Sequence, residues 1–91
     1  MTEKIHTDIQ ALQSRIDFYR AIGKLYRKQA DAALTDADYL MQAYNASNAK
    51  EDYDVYVTCS DRAEELEAKA DALEKAVDAL VDAIEALTEF R

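Results

Sequence analysis

The chain has 91 residues, with 19 acidic and 11 basic side chains and a formal charge of −8. That balance speaks against binding a phosphate backbone or an anionic membrane surface, since both depend on Lys and Arg. There is no Pro and one Gly, Gly23; these two residue types suit helix interiors least, so long uninterrupted helices are expected.

In chain order, the start Met1-Thr2-Glu3-Lys4-Ile5 lacks the apolar core of a signal peptide. No apolar run approaches the ~20 residues that span a bilayer. Cys59 is the single cysteine, so no intramolecular disulfide can form and a reducing compartment is expected. The expectation is a soluble cytoplasmic protein.

From Ile5 the apolar positions run Ile9, Leu12, Ile16, Tyr19, Gly23, Tyr26, Ala30, Ala33, Ala37, Leu40 and Tyr44. Their spacing alternates between four and three, the a/d seam of a coiled coil. A first helix over residues 2–45 is predicted, with Thr2 as its cap. Asn45-Ala46-Ser47-Asn48 is the best turn candidate, placed at residues 46–48; Asn45-Ala46-Ser47 also matches a glycosylation sequon, read here as turn chemistry. Asn48 with Glu51 resembles a capping box opening a second helix over residues 49–90. Its seam runs Tyr56, Cys59, Ala63, Leu66, Ala70, Leu73, Val77, Leu80, Ile84 and Leu87.

Folding the chain back at Asn48 pairs Ile9 with Leu87, Ile16 with Leu80, Tyr19 with Val77, Gly23 with Leu73, Ala30 with Leu66 and Ala37 with Cys59. Large residues meet small ones in the middle layers, as a constant interhelix distance requires. The same register sets Arg20 beside Glu74, Arg27 beside Glu67 and Asp36 beside Arg62. The predicted fold is therefore all-α: an antiparallel two-helix coiled-coil hairpin forming one domain over residues 1–91, dimerising into a four-helix bundle. A three-helix bundle broken near residues 35 and 60 is the alternative. Thr35 with Asp38 and Ser60-Asp61 with Glu64 offer fresh caps there, and Tyr53 to Cys59 is β-branched and aromatic.

Outside the seam, Phe18, Ile22 and Leu25 share a side with Ala72, Ala76, Ala79, Ala83, Ala86 and Phe90. Two helices cannot bury this face, so a second copy is expected on it. The opposite side carries Glu67, Asp71, Glu74, Asp78, Asp82, Glu85 and Glu89. This stripe is ~33 Å long at ~1.5 Å per residue. Like charges a turn apart weaken a helix, which points to use, though a solvated face is the plain alternative. Tyr39, Tyr44, Tyr53 and Tyr56 gather around the turn, either as a binding tip or as a plug for the end of the bundle.

Catalytic chemistry is not expected. His6 is the lone histidine and lies near a terminus, Cys59 falls on the apolar seam, and neither a Gly-rich loop nor an inward Glu-x-x-His pair exists. No catalytic residue, metal site or cofactor is assigned. The functional expectation is a non-enzymatic inhibitor or adaptor whose carboxylates occupy the basic, nucleic-acid-binding surface of a protein partner. By class analogy it would be of the phage counter-defence type (anti-CRISPR or anti-restriction), without direct nucleic-acid or membrane binding. The alternative is a homodimeric assembly module whose acid only keeps it soluble. In length and shape the chain resembles the WXG100 helical hairpins, but Asn45 to Asn48 stands where that family has its Trp-x-Gly turn, and the chain has no Trp.

Overall fold

The computed structural model describes residues 2–89, with Thr2 as backbone only. Two helices account for nearly all of them: α1 (Thr2–Ser47) and α2 (Lys50–Glu89). They pack antiparallel as a hairpin measuring 68 × 14 × 13 Å. The radius of gyration is 20.2 Å, against ~12 Å for a compact domain of this length. The molecule is a rod.

The seam read from sequence is the core. Ile9, Ile16, Ala30, Ala33 and Ala37 of α1 are buried, facing Ala63, Leu66, Ala70 and Val77 of α2. Around the middle of the rod the layers follow the predicted register, with Tyr19 and Gly23 sharing a groove with Val77 and Leu73; nearer the turn Cys59, predicted opposite Ala37, shares a groove with Ala33. Among the described residues no large side chain is completely enclosed, because two helices wrap a residue on two sides only. In the half nearer the turn, the seam is closed chiefly by alanines; in the other half, Ile9, Ile16 and Val77 hold it together.

Neither predicted break occurs. Thr35 Oγ1 donates to the Asp31 carbonyl at 3.0 Å, and Thr58 Oγ1 to the Asp54 carbonyl at 3.0 Å. Both hydroxyls are satisfied inside continuous helices, and Ser60 and Asp61, the candidate caps of the second break, lie within α2. Tyr53 to Cys59 is helical despite its β-branched composition, since Tyr56 and Cys59 occupy seam positions and packing outweighs propensity.

The turn is tighter than predicted and lies later, at Asn48 and Ala49. Asn48 has φ 54°, the left-handed conformation that closes helices and that Asn adopts more readily than most residues. Its amide still donates to the Tyr44 carbonyl at 2.7 Å. An N-cap residue needs an extended backbone, so Asn48 cannot form the expected box with Glu51. Ser47, one residue upstream, takes that role. Its Oγ accepts from the Ala49 amide at 3.2 Å and donates to Asp52 Oδ2 at 2.7 Å. The Ala49 carbonyl then accepts from Asp52 and Tyr53 at 3.1 and 3.4 Å. Glu51 and Asp52 sit in the first turn of α2, at its positive end. The side chain of Thr2, the predicted cap, is outside what the structure describes.

Candidate protein-binding faces

The helical phase that buries the seam sorts the remaining side chains into two sides. Arginines at flanking positions of α1 approach acids at flanking positions of α2. Arg27 spans two of them, with its guanidinium 3.0 Å from Asp71 and 3.1 Å from Glu74. The hydrogen bond that Arg27 donates to Asp71 leads the causes that raise the Arg27 pKa above its ordinary value. The register set Arg27 beside Glu67, but the side chain reaches further along α2. Side chains lean towards the N-terminus of their own helix, and beside α1 that direction runs towards the C-terminal end of α2. Arg20 and Glu74 line one groove without pairing, and so do Asp36 and Arg62.

All seven carboxylates of the predicted stripe are exposed. Asp71 and Glu74 are engaged by Arg27, while Lys69 pairs with Glu65 at 3.5 Å, off the stripe. Asp78, Asp82, Glu85 and Glu89 form no ion pair among the described residues. They extend ~17 Å along the end of α2.

On this side the seam is not sealed. A groove of about 310 Å³ opens between Tyr19, Gly23 and Arg27 on α1 and Leu73, Glu74 and Val77 on α2. It adjoins another of about 390 Å³ lined by Ile16, Arg20, Val81 and Ile84. The register paired Gly23 with Leu73, a small residue against a large one that would fill its layer. Instead, a Cβ built on Gly23 meets nothing within 4 Å, and the space stands open.

The other side is apolar, as predicted. Phe18 is 61% exposed and Leu25 57%. Ile22, Ala76 and Ala83 are half-buried, and Ala72, Ala79 and Ala86 exposed. Phe90, assigned to the same face, lies outside the described residues.

At the turn, three of the four tyrosines meet. The Tyr44 and Tyr53 ring centroids are 5.3 Å apart and those of Tyr53 and Tyr56 6.0 Å. Tyr44 and Tyr56 are half-buried, closing the end of the seam. Tyr39 stands apart at 73% exposure. Reasoning from sequence missed Leu34 and Val55, which are 41% and 49% exposed near the same end. It also missed Lys69 over the Tyr26 ring at 5.8 Å. Heptad positions would have marked Leu34 and Val55 as flanking, because they neighbour the seam without belonging to it.

Cys59 is half-buried on the seam. No group of three or more His, Cys, Asp or Glu among the described residues is arranged to hold a metal ion, and no described helix is long and apolar enough to cross a membrane. The surface instead offers three things a partner could read: a carboxylate row, an apolar face and an aromatic end. No family model, curated protein or solved structure matches the chain.

Proposed function

We propose that this chain is a non-enzymatic protein-binding module whose acidic face occupies a basic, nucleic-acid-binding surface of a partner protein. The observation that carries this reading is the run Asp78, Asp82, Glu85 and Glu89, exposed and outside every described ion pair. Rigid helix spacing sets these carboxylates about one turn (~5.4 Å) apart, so their charge is presented as an ordered row, as a strand of phosphates presents its own. A basic groove would gain electrostatic steering and specificity from that row. Such action by occupancy fits an inhibitor or adaptor of the kind found in phage counter-defence.

The test is capture from lysate at low and high salt, comparing the native chain with the triple variant Asp78→Lys, Asp82→Lys, Glu85→Lys. The native chain should retain a nucleic-acid-handling protein that added duplex DNA displaces. The variant, with unchanged helicity, should lose it. Capture that survives the reversal would show the row to be solvent decoration.

A second reading rests on a separate observation, the exposure of Phe18 and Leu25 on the apolar side. In that reading the hairpin is an assembly module that dimerises through this face into a four-helix bundle. The two readings use different sides of the rod, and of the row only Asp82 lies at the edge of the apolar face. Ala79→Glu with Ala83→Glu should halve the solution mass, and an unchanged mass would remove the second.

A further inference from the structure

We propose that the apolar face is covered by a second copy of this chain lying antiparallel to the first and overlapping it only along the half of the rod away from the turn. This rests on dimerisation through that face, the second reading above, and adds the orientation and extent of the overlap.

The rod has surface to spare. The hairpin exposes 6855 Å², whereas a compact monomer of 10.3 kDa exposes ~5,400 Å². The excess of ~1,500 Å² leaves room for the ~800 Å² that each partner gives to a standard interface. The face itself, from Ala72 to Ala86 and the matching levels of α1, is ~22 Å long and two helices wide, a footprint of ~400 Å². Exposed apolar patches of that size mark interaction sites.

The face also stops partway. Towards the turn, the equivalent positions of α2 change from alanines to Lys69, Glu65 and Arg62. A second copy covering the whole rod would desolvate those charges and gain only Ala32, Tyr39 and Val55 along the same face in return.

Charge selects the orientation. Residues 31–66, the turn half, hold nine acids against Lys50 and Arg62, a net −7; residues 2–30 and 67–89, the other half, hold ten acids against eight bases, a net −2. A parallel pair would set two −7 halves side by side. An antiparallel pair sends them to opposite ends, many Debye lengths apart at ~8–10 Å each. A dyad near Ala79 also brings Lys75 of one copy level with Asp82 of the other, and the reverse. Both residues are exposed and outside the described ion pairs. In the parallel arrangement, the hairpin register instead sets Lys75 against Ala21 and Asp82 against Ser14, which gives no complementary pair.

The experiment labels Asp61→Cys in a Cys59→Ser background with spin probes and measures the distance between copies, after the mass is established by sedimentation equilibrium. The antiparallel dimer predicts ~50 Å along the rod axis and a particle ~90 Å long, given ~1.5 Å per residue and the 68 Å hairpin. A dimer with labels under ~30 Å apart, the width of two packed hairpins, overturns the orientation while leaving dimerisation intact. A monomer at every concentration overturns both. As a second check, Lys75→Asp should weaken the dimer about tenfold through two repulsive pairs, and adding Asp82→Lys should restore it. Failure of that rescue contradicts the proposed dyad.

Discussion

Replacing Gly23 with alanine should stabilise the hairpin. The residue lies in the interior of α1, a 46-residue helix, where glycine costs ~1 kcal/mol relative to alanine. That cost is usually accepted for a backbone that needs positive φ or for a neighbour that leaves no room for a side chain. Neither holds here: no glycine of the chain has positive φ, and a Cβ at position 23 meets nothing within 4 Å. The substitution therefore brings neither strain nor clash. It restricts the unfolded chain and removes the helix penalty, two views of one effect worth ~0.5–1 kcal/mol. In a domain of this size, 1 kcal/mol moves the melting midpoint by ~4–8 °C, so a rise of ~2–8 °C is expected. Thermal unfolding followed by far-UV circular dichroism measures it, at one fixed protein concentration because association shifts the midpoint. A midpoint that falls would refute the reasoning. It would mean that something approaches the Gly23 backbone in solution, either α2 in a closer packing or a partner seated in the groove over Leu73 and Val77.

Other substitutions separate the contributions of turn, core and surface. Ser47→Ala should cost ~1 kcal/mol by removing the cap on the Ala49 amide, read from the urea midpoint. Asn48→Val should cost ~1–2 kcal/mol because a β-branched residue resists φ 54°, whereas Asn48→Gly should be neutral or better. Leu66→Ala, at a position 6% exposed, should cost ~2–5 kcal/mol, while Leu34→Ala, at 41% exposure, should stay within ~0.5 kcal/mol; equal costs would place Leu34 in an interface. Arg27→Gln should lower the melting midpoint in dilute buffer and lose that effect near 1 M salt, where the Debye length is ~3 Å. Since its folded-state pKa is raised above the ordinary arginine value, the Arg27 contribution is complete below the unfolded value and is lost only above it. A titration from neutral to moderately alkaline pH should leave that contribution unchanged.

Much of the fold was legible because one periodic signal ran unbroken through each helix. The a/d spacing from Ile5 to Tyr44 and from Tyr56 to Leu87 identified every buried residue, among them Ile16, Ala30, Leu66 and Val77. The turn was less legible, since Asn48 can close one helix or open the next, and only the backbone angle decides. The β-branched run before Cys59 and the hydroxyl of Thr35 kept a three-helix alternative open for a related reason. Local preference is worth tenths of a kcal/mol per residue, and a long packed seam outweighs it. The candidate faces were legible as faces, because exposure follows helical phase. Which acids are already engaged was not. The reach of Arg27 past Glu67 to Asp71 and Glu74 depends on side-chain lean, which spacing alone does not encode.

The hairpin also changes the meaning of the charge asymmetry. Along the chain, residues 1–30 are basic and residues 31–91 acidic, which suggests one basic helix lying against one acidic helix. Folding at Asn48 lays residues 2–30 against residues 67–89, so most of the bases are spent alongside acids of the far half. What remains is an imbalance between the two ends of a rod. The turn end is closed by Ala30, Ala33, Ala37 and Ala63, strongly acidic and tipped by tyrosines. The other end is nearly balanced, grooved on one side between Tyr19 and Val77 and apolar on the other around Phe18 and Leu25. Association needs apolar area with little like-charge repulsion, and only the second end provides both. The row Asp78, Asp82, Glu85 and Glu89 runs along that same half on another side of α2, so association through the apolar face and steering by the row are set apart around the rod and not along it. One bend in the chain thus brings both surfaces to the end away from the turn.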